Sequence, residues 1–195
     1  MKDSLYLIDS SELDGKCETI MDYTISWTLR RAQEEFHEEK PVLFGYCREI
    51  LAQLLGLPCS DGLKFESVKT WKQSSYIDVW VEVILSLDGE QQRHAILIEN
   101  KYYTGLHLAK DTDGVKRNQL LVYRKKFDAY YEEQQEIFIK HYALITCISE
   151  SDPKFQMYAE APEYGYTIYP LEDLHNYLSE DSESDIFNEF WVRGW

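Results

Sequence analysis

Two short runs of the sequence carry residues that could do chemistry together. "YIDVWVEVILSL" (76–87) opens close to Asp78, and "HAILIENK" (94–101) closes on Glu99, Asn100 and Lys101. Side chains alternate along a strand, so Glu99 and Lys101 share one face with Ala95 and Leu97. Asn100 shares the other face with Ile96 and Ile98. Both faces stay apolar until the strand ends, the pattern of a central strand. A charge placed there needs a partner, because burying it alone is costly. "LDGE" (87–90) is a turn signal. A hairpin about Asp88–Gly89 lays the start of one run beside the end of the other, so Asp78 approaches Glu99 and Lys101. Two carboxylates and the Asn100 carbonyl form a hard oxygen site suited to Mg²⁺ or Mn²⁺. A neighbouring lysine orients or deprotonates a metal-activated water.

These runs need elements to hold them. Apolar residues at helical spacing (Ile25, Leu29, Ala32, Phe36) predict a helix over 18–36. A second helix runs from Pro41 to about Gly56, opened by proline and stopped by Gly56 and Pro58. Strands are expected at 63–71, 76–87 and 94–101, then a long helix over 114–136 capped by Asp113. Strands at 141–149 and 164–170 and tail helices at 171–179 and 184–192 complete the chain. "KDTDG" (110–114) lacks the third acid and distant glutamate of a calcium loop. The order predicts one mixed α/β domain over residues 1–195, its central sheet flanked by helices.

On the long helix, Lys116, Gln119, Tyr123 and Phe127 step by three and four and so line one stripe. The apolar end of that stripe packs on the sheet, which brings Lys116, Gln119 and Tyr123 to the strand ends. A basic zone lies here too. Lys101, Lys110, Lys116, Arg117, Arg124, Lys125 and Lys126 are opposed between 101 and 126 only by Asp111 and Asp113.

The whole chain of 195 residues carries a net charge of -15, which argues against general coating of nucleic acid. No apolar run reaches the length of a membrane span, and the start lacks the basic-then-apolar pattern of a secretion signal. Four scattered cysteines without CxxC pairs fit free thiols in a reducing cytoplasm and not a zinc site.

Taken together, "YID", the turn, "ILIENK" and "NQLLVYRKKF" resemble the PD-(D/E)xK nuclease superfamily. Ile77-Asp78 matches the PD half, with isoleucine in place of proline, and Glu99-Asn100-Lys101 matches the ExK half. Gln119 and Tyr123 have the QxxxY spacing of a branch that includes helicase-linked exonucleases. "IENKYYTG…NQLLVY" is similar to a bacterial group with an "IENKIYAG…NQLERY" pattern, and "DYTISWTLRRA" matches that group's early helix loosely. The resemblance implies a restriction-endonuclease-like core and a Mg²⁺- or Mn²⁺-dependent deoxyribonuclease acting in defence against, or processing of, foreign DNA. It assigns catalysis to Asp78, Glu99, Lys101, Gln119 and Tyr123, and metal binding to Asp78, Glu99 and Asn100. A further metal-binding acid comes from a preceding helix, and both Glu49 and Glu18 qualify. Lys110, Lys116, Arg117 and Arg124 are the expected contacts to DNA.

Each feature also has a plainer counterpart. An ExK triplet forms a simple ion pair at many strand ends, and Asp78 alone could be a cap. Gln119 and Tyr123 alone could be a helix–sheet contact. A catalytically inactive member of the fold that binds a protein partner or nucleic acid is the second reading, and a homodimer is open under either. An acidic mimic of a phosphate backbone would leave Lys101 unexplained.

Overall fold

The computed structural model describes residues 17–74 and 77–194. The N-terminal stretch examined for a secretion signal and Tyr76 of the "YID" run lie outside the described residues. Helix α1 (Cys17–Arg30) and helix α2 (Pro41–Leu55) come first. They are followed by strands β1 (Leu63–Ser74), β2 (Ile77–Leu87) and β3 (Glu90–Lys101). A small hairpin, β4 (Leu108–Lys110) and β5 (Lys116–Asn118), leads into helix α3 (Gln119–Glu132). Strands β6 (Ile139–Thr146) and β7 (Thr167–Pro170) and short helices α4 (Leu171–His175) and α5 (Asp185–Phe187) complete the order, with a π-turn over Asn188–Val192.

Five strands form one mixed sheet in the order β1-β2-β3-β6-β7. The first three are antiparallel, and β3-β6 and β6-β7 are parallel. The β2–β3 hairpin turns at Asp88–Gly89, as expected, with Leu87 opposite Glu90 and Val79 opposite Ile98. Gly89 has φ +90°, a conformation glycine adopts without steric cost. The alternation of β2 and β3 splits the core in two. Val79, Val81, Ile96 and Ile98 pack under α1 and α2, while Trp80, Ala95 and Leu97 pack under α3. The sheet is therefore covered on both faces.

Two helix boundaries near the site differ from the sequence expectation and one agrees with it. Helix α1 stops at Arg30 because the Gln33 amide bridges two backbones. Its Nε2 donates to the Arg30 carbonyl at 2.9 Å, and its Oε1 accepts from the Val68 amide at 3.0 Å. Helix α2 ends where expected, with Gly56 left-handed (φ +65°) and the Leu57 amide donating back to the Ala52 carbonyl. The long helix begins five residues later than its pattern implied. Lys110 and Lys116 face each other across the β4–β5 hairpin, and Asp113 accepts from the Val115 amide inside its turn. The cap of α3 is Asn118, whose side chain accepts from the Leu120 amide at 3.0 Å. Lys116 is thus a strand residue and does not belong to the helical stripe. No helix among the described residues is long and apolar enough to cross a membrane.

Candidate active site

Parallel pairing of β3 with β6 requires a crossover, and α3 supplies it. Helix α3 starts near the carboxyl end of β3, the end at which open α/β sheets bind ligands. Gln119, the first residue of α3, is fixed there by its own amide. The His107 backbone N–H donates to Gln119 Oε1 at 2.9 Å, and Gln119 Nε2 donates to Glu99 Oε1. Lys101 Nζ stands 2.8 Å from the same Glu99 oxygen. Both charged side chains are almost wholly buried, at 2% and 4% exposure.

Asp78 reaches this cluster from β2. The register continues one residue past Val79–Ile98 and sets Asp78 beside Glu99. Its Oδ2 accepts from the Asn100 backbone N–H at 2.9 Å. The Asn100 side chain leaves by the opposite face, where its Nδ2 donates to Asp22 Oδ1 on α1 at 2.8 Å. Glu18, one turn before Asp22, accepts from the Tyr102 amide at 3.3 Å and from the Thr104 hydroxyl. Glu99, Asp78 and Glu18 therefore act on Lys101 at the ends of β2 and β3, while Asp22 lies across the sheet and feels Asp78 and Glu18.

Their electrostatics follow from this crowding. Burial and then the charge of Asp78 push the Glu99 carboxyl up to about 8, against the lowering effect of Lys101. Burial and then Asp78 push Asp22 up to about 7. Burial raises Asp78 as well, although the Asn100 N–H and Lys101 oppose it. Burial works against the Lys101 charge, but Glu99, Glu18 and Asp78 outweigh it and hold the ammonium above its ordinary range. Acceptors outnumber donors here. Glu99 Oε2 and Asn100 Oδ1 are buried and have no hydrogen-bond partner among the described residues.

Among the described residues, no three histidine, cysteine, aspartate or glutamate side chains already stand together as a metal cage. The donor set still fits a hard cation. It is made of carboxylate and carbonyl oxygens, and it includes a buried carboxylate oxygen, Glu99 Oε2, with no hydrogen-bond partner among the described residues.

The other expected site residues divide into two groups. Tyr123 lies in the core between α3 and the sheet, with Leu97, Leu120 and Tyr166. Glu49 does not join the site. It sits on α2 beside Cys59 and Tyr177, whereas Glu18 is the glutamate that raises Asp78 and Glu99. Of these two glutamates only Glu18 lies beside Asp78 and Glu99, because α1 and not α2 runs past the end of β3. Arg117 is engaged by Asp113 at 2.7 Å and Asp111 at 2.8 Å. Arg124 donates to the Tyr164 carbonyl at 2.7 Å and lies over the Tyr142 ring. Lys110 and Lys116 are exposed on the hairpin.

Asp22 was missed by the pattern, although its signal was present. It follows Glu18 by four residues, so both occupy one face of α1. Tyr158 was missed too. Its hydroxyl donates to the Thr104 carbonyl at 2.7 Å and holds the loop that follows Lys101. Asp22→Ala leaves the buried Asn100 amide without its acceptor. An unfolding titration in urea at pH 6 is expected to show a loss of about 1–3 kcal/mol. At pH 8 the loss shrinks, because removing an ionised Asp22 also relieves its repulsion with Asp78. Equal losses at both pH values would mean that the carboxylates do not feel one another.

No family model, curated protein or solved structure matches the chain.

Proposed function

We propose that this chain is a metal-dependent nuclease with a restriction-endonuclease-like core that hydrolyses DNA phosphodiester bonds using Mg²⁺ or Mn²⁺. The observation that carries this reading is the Glu99 carboxyl group. It is buried at a strand end, held by Lys101 and Gln119, faced by Asp78, and keeps one oxygen without a partner. A structural ion pair would need neither the second carboxylate nor the orphan oxygen.

Asp78, Glu99 and the Asn100 carbonyl would hold the cation, with Glu18 as the further acid. When bound, it supplies Lewis acidity at a phosphate oxygen and lowers the pKa of water. Gln119 fixes the Glu99 rotamer from a helix start that is itself anchored to His107. Asp78 fixes the backbone at Asn100. Lys101 places a positive charge beside the attacking water and the scissile phosphate, where negative charge grows in the transition state. The test is incubation of the purified protein with linear, circular and single-stranded DNA, with and without each metal. Cleavage that needs Mg²⁺ or Mn²⁺ and vanishes in Asp78→Asn supports the reading. Cleavage that survives in Asp78→Asn overturns it.

Engagement of Arg117 by two aspartates narrows the expected DNA contacts to Lys110 and Lys116. In binding measured over a salt series, each direct phosphate contact contributes about 0.9 to the slope of log affinity against log salt. Lys110→Ala and Lys116→Ala are expected to lower the slope by that amount, and Arg117→Ala to leave it unchanged. Equal effects from all three would mean that the hairpin only steers DNA through its overall charge.

The net charge of -15 favours a second reading, in which the same fold binds a protein partner without cleaving DNA. Absence of metal-dependent cleavage together with metal-dependent thermal stabilisation would favour it.

A further inference from the structure

An open cleft of about 420 Å³ lies between β1, β2 and α3. Its walls are Trp71, Trp80 and Tyr130, and Glu82, Lys126 and Glu133 complete its lining. Trp71 and Trp80 are paired across β1 and β2. The Trp80 ring meets Tyr130 edge-on at 5.0 Å and leans on Phe127 at 4.7 Å. Its indole N–H donates to the Tyr131 hydroxyl at 2.7 Å, which in turn donates to Glu82 Oε1 at 2.9 Å. The floor is therefore fixed. Trp71 and Tyr130 remain 43% and 47% exposed on an otherwise acidic chain.

The cleft is near the candidate active site along the chain. Asp78 and Trp80 are two residues apart on one strand, so they share a face and stand about 7 Å apart along it. That is about two nucleotide steps along a strand of DNA.

We propose that this cleft holds an unstacked nucleobase of a single-stranded DNA segment, with a preference for bases that carry an exocyclic amino group. The inference rests on the nuclease reading for its substrate. Exposed aromatic rings are stacking platforms for bases. A carboxylate accepts from the exocyclic amino group of cytosine or adenine, and Glu82 and Glu133 offer carboxylates in the cleft, whereas thymine offers them only its single ring N3–H. Lys126, one helical turn before Tyr130, supplies the cation for the adjoining phosphate. A base inside a duplex is stacked on its neighbours and cannot enter, so the cleft selects single strands, frayed ends or flipped bases.

The test uses the full chain carrying Asp78→Asn, so that DNA stays intact, and follows tryptophan fluorescence during titration. Short deoxycytidine, deoxyadenosine and thymidine oligomers and a blunt duplex are the probes. The cytidine and adenosine oligomers are expected to bind more tightly than the thymidine oligomer. Trp71→Ala and Tyr130→Ala, made separately, are each expected to weaken single-strand binding at least about fivefold, the loss of one stacked base. Duplex binding should stay the same in both. If wild type cleaves DNA but neither substitution affects single-strand binding, the cleft proposal is overturned and the nuclease reading stands. If the substitutions abolish single-strand binding but wild type cleaves nothing with either metal, the nuclease reading falls and the cleft proposal stands. Binding of a trimethyl-lysine peptide in place of the oligomers would overturn the proposal in favour of a cationic protein partner.

Discussion

Lys101→Met is expected to lower DNA cleavage by about 10²- to 10³-fold, the usual loss when one preorganised charge or donor is removed from a transition state. Methionine keeps the apolar stem, so the packing around residue 101 survives. Loss of the ammonium does not leave Glu99 as a bare buried charge. Lys101 lowers the Glu99 pKa, so without it Glu99 rises further above about 8 and keeps its proton to higher pH. The fold therefore tolerates the change at neutral pH. DNA affinity measured without metal should hardly move, because an interaction made mainly in the transition state does not contribute to ground-state binding. Metal affinity at pH 7 should weaken, since Glu99 must lose its proton to bind a cation. This separates two roles. Raising the pH restores Mn²⁺ binding to Lys101→Met, measured by calorimetry, but does not restore cleavage. If cleavage returns together with metal binding, Lys101 serves only to set the ionisation of Glu99.

The parts of this site that were legible in the sequence are those set by short-range periodicity. Alternation along 94–101 places Glu99 and Lys101 on one face and Asn100 on the other. The turn at Asp88–Gly89 then fixes the register that brings Asp78 to them. The order of strands and helices was legible for the same reason, since each long element carries its own apolar pattern. What could not be read is what depends on side chains meeting across the fold. Helix α1 stops at Arg30 because Gln33 finds the edge of β1, a contact 35 residues away. The 108–118 segment carries charged and turn-forming residues that suit a solvated helix face or a hairpin. Asp111 decides it, by drawing in both Arg117 and Lys125. Glu18 and Glu49 were equal candidates because both precede the sheet on helices. Only the path of α1 past the end of β3 separates them. Asp22 shows a different limit. An aspartate inside a helix reads as a surface residue, yet this one is 3% exposed because Asn100 reaches through to it.

The protein without metal is expected to lose stability as the pH rises from 6.5 to 8.5, and Mn²⁺ is expected to restore it. The sign follows from the carboxylates. Glu99 has an ordinary pKa of 4.5 and stands at about 8 in the fold, so over that range the folded state holds a proton that the unfolded chain has shed. Stability linked to this proton is complete below 4.5 and is lost as the pH climbs through 8. Asp22, raised from 3.8 to about 7, and Asp78, also raised, act in the same direction. The buried histidines act in the opposite one. His94 is lowered to about 4 by burial and by His141, so it favours the fold increasingly as the pH rises to 6.5 and adds nothing above. In the window from 6.5 to 8.5 the carboxylates therefore dominate, with the raised thiols of Cys59 and Cys147 adding to the decline only near its upper end. From pH 6.5 upward Glu99 crosses about 1.5 units and Asp22 about 0.5, so their combined effect is about 3 kcal/mol at about 1.36 kcal/mol for each pKa unit crossed. A bound cation replaces the missing proton's charge, and it stabilises the fold according to its concentration over its Kd. Urea unfolding at pH 6.5, 7.5 and 8.5, with and without Mn²⁺, reads both effects. Asp78→Asn should flatten the decline, because Glu99 loses the neighbour that raises it, and should remove most of the Mn²⁺ response. A decline that Mn²⁺ leaves untouched would mean that these carboxylates crowd one another without holding a cation, and the proposed nuclease would lose its metal site.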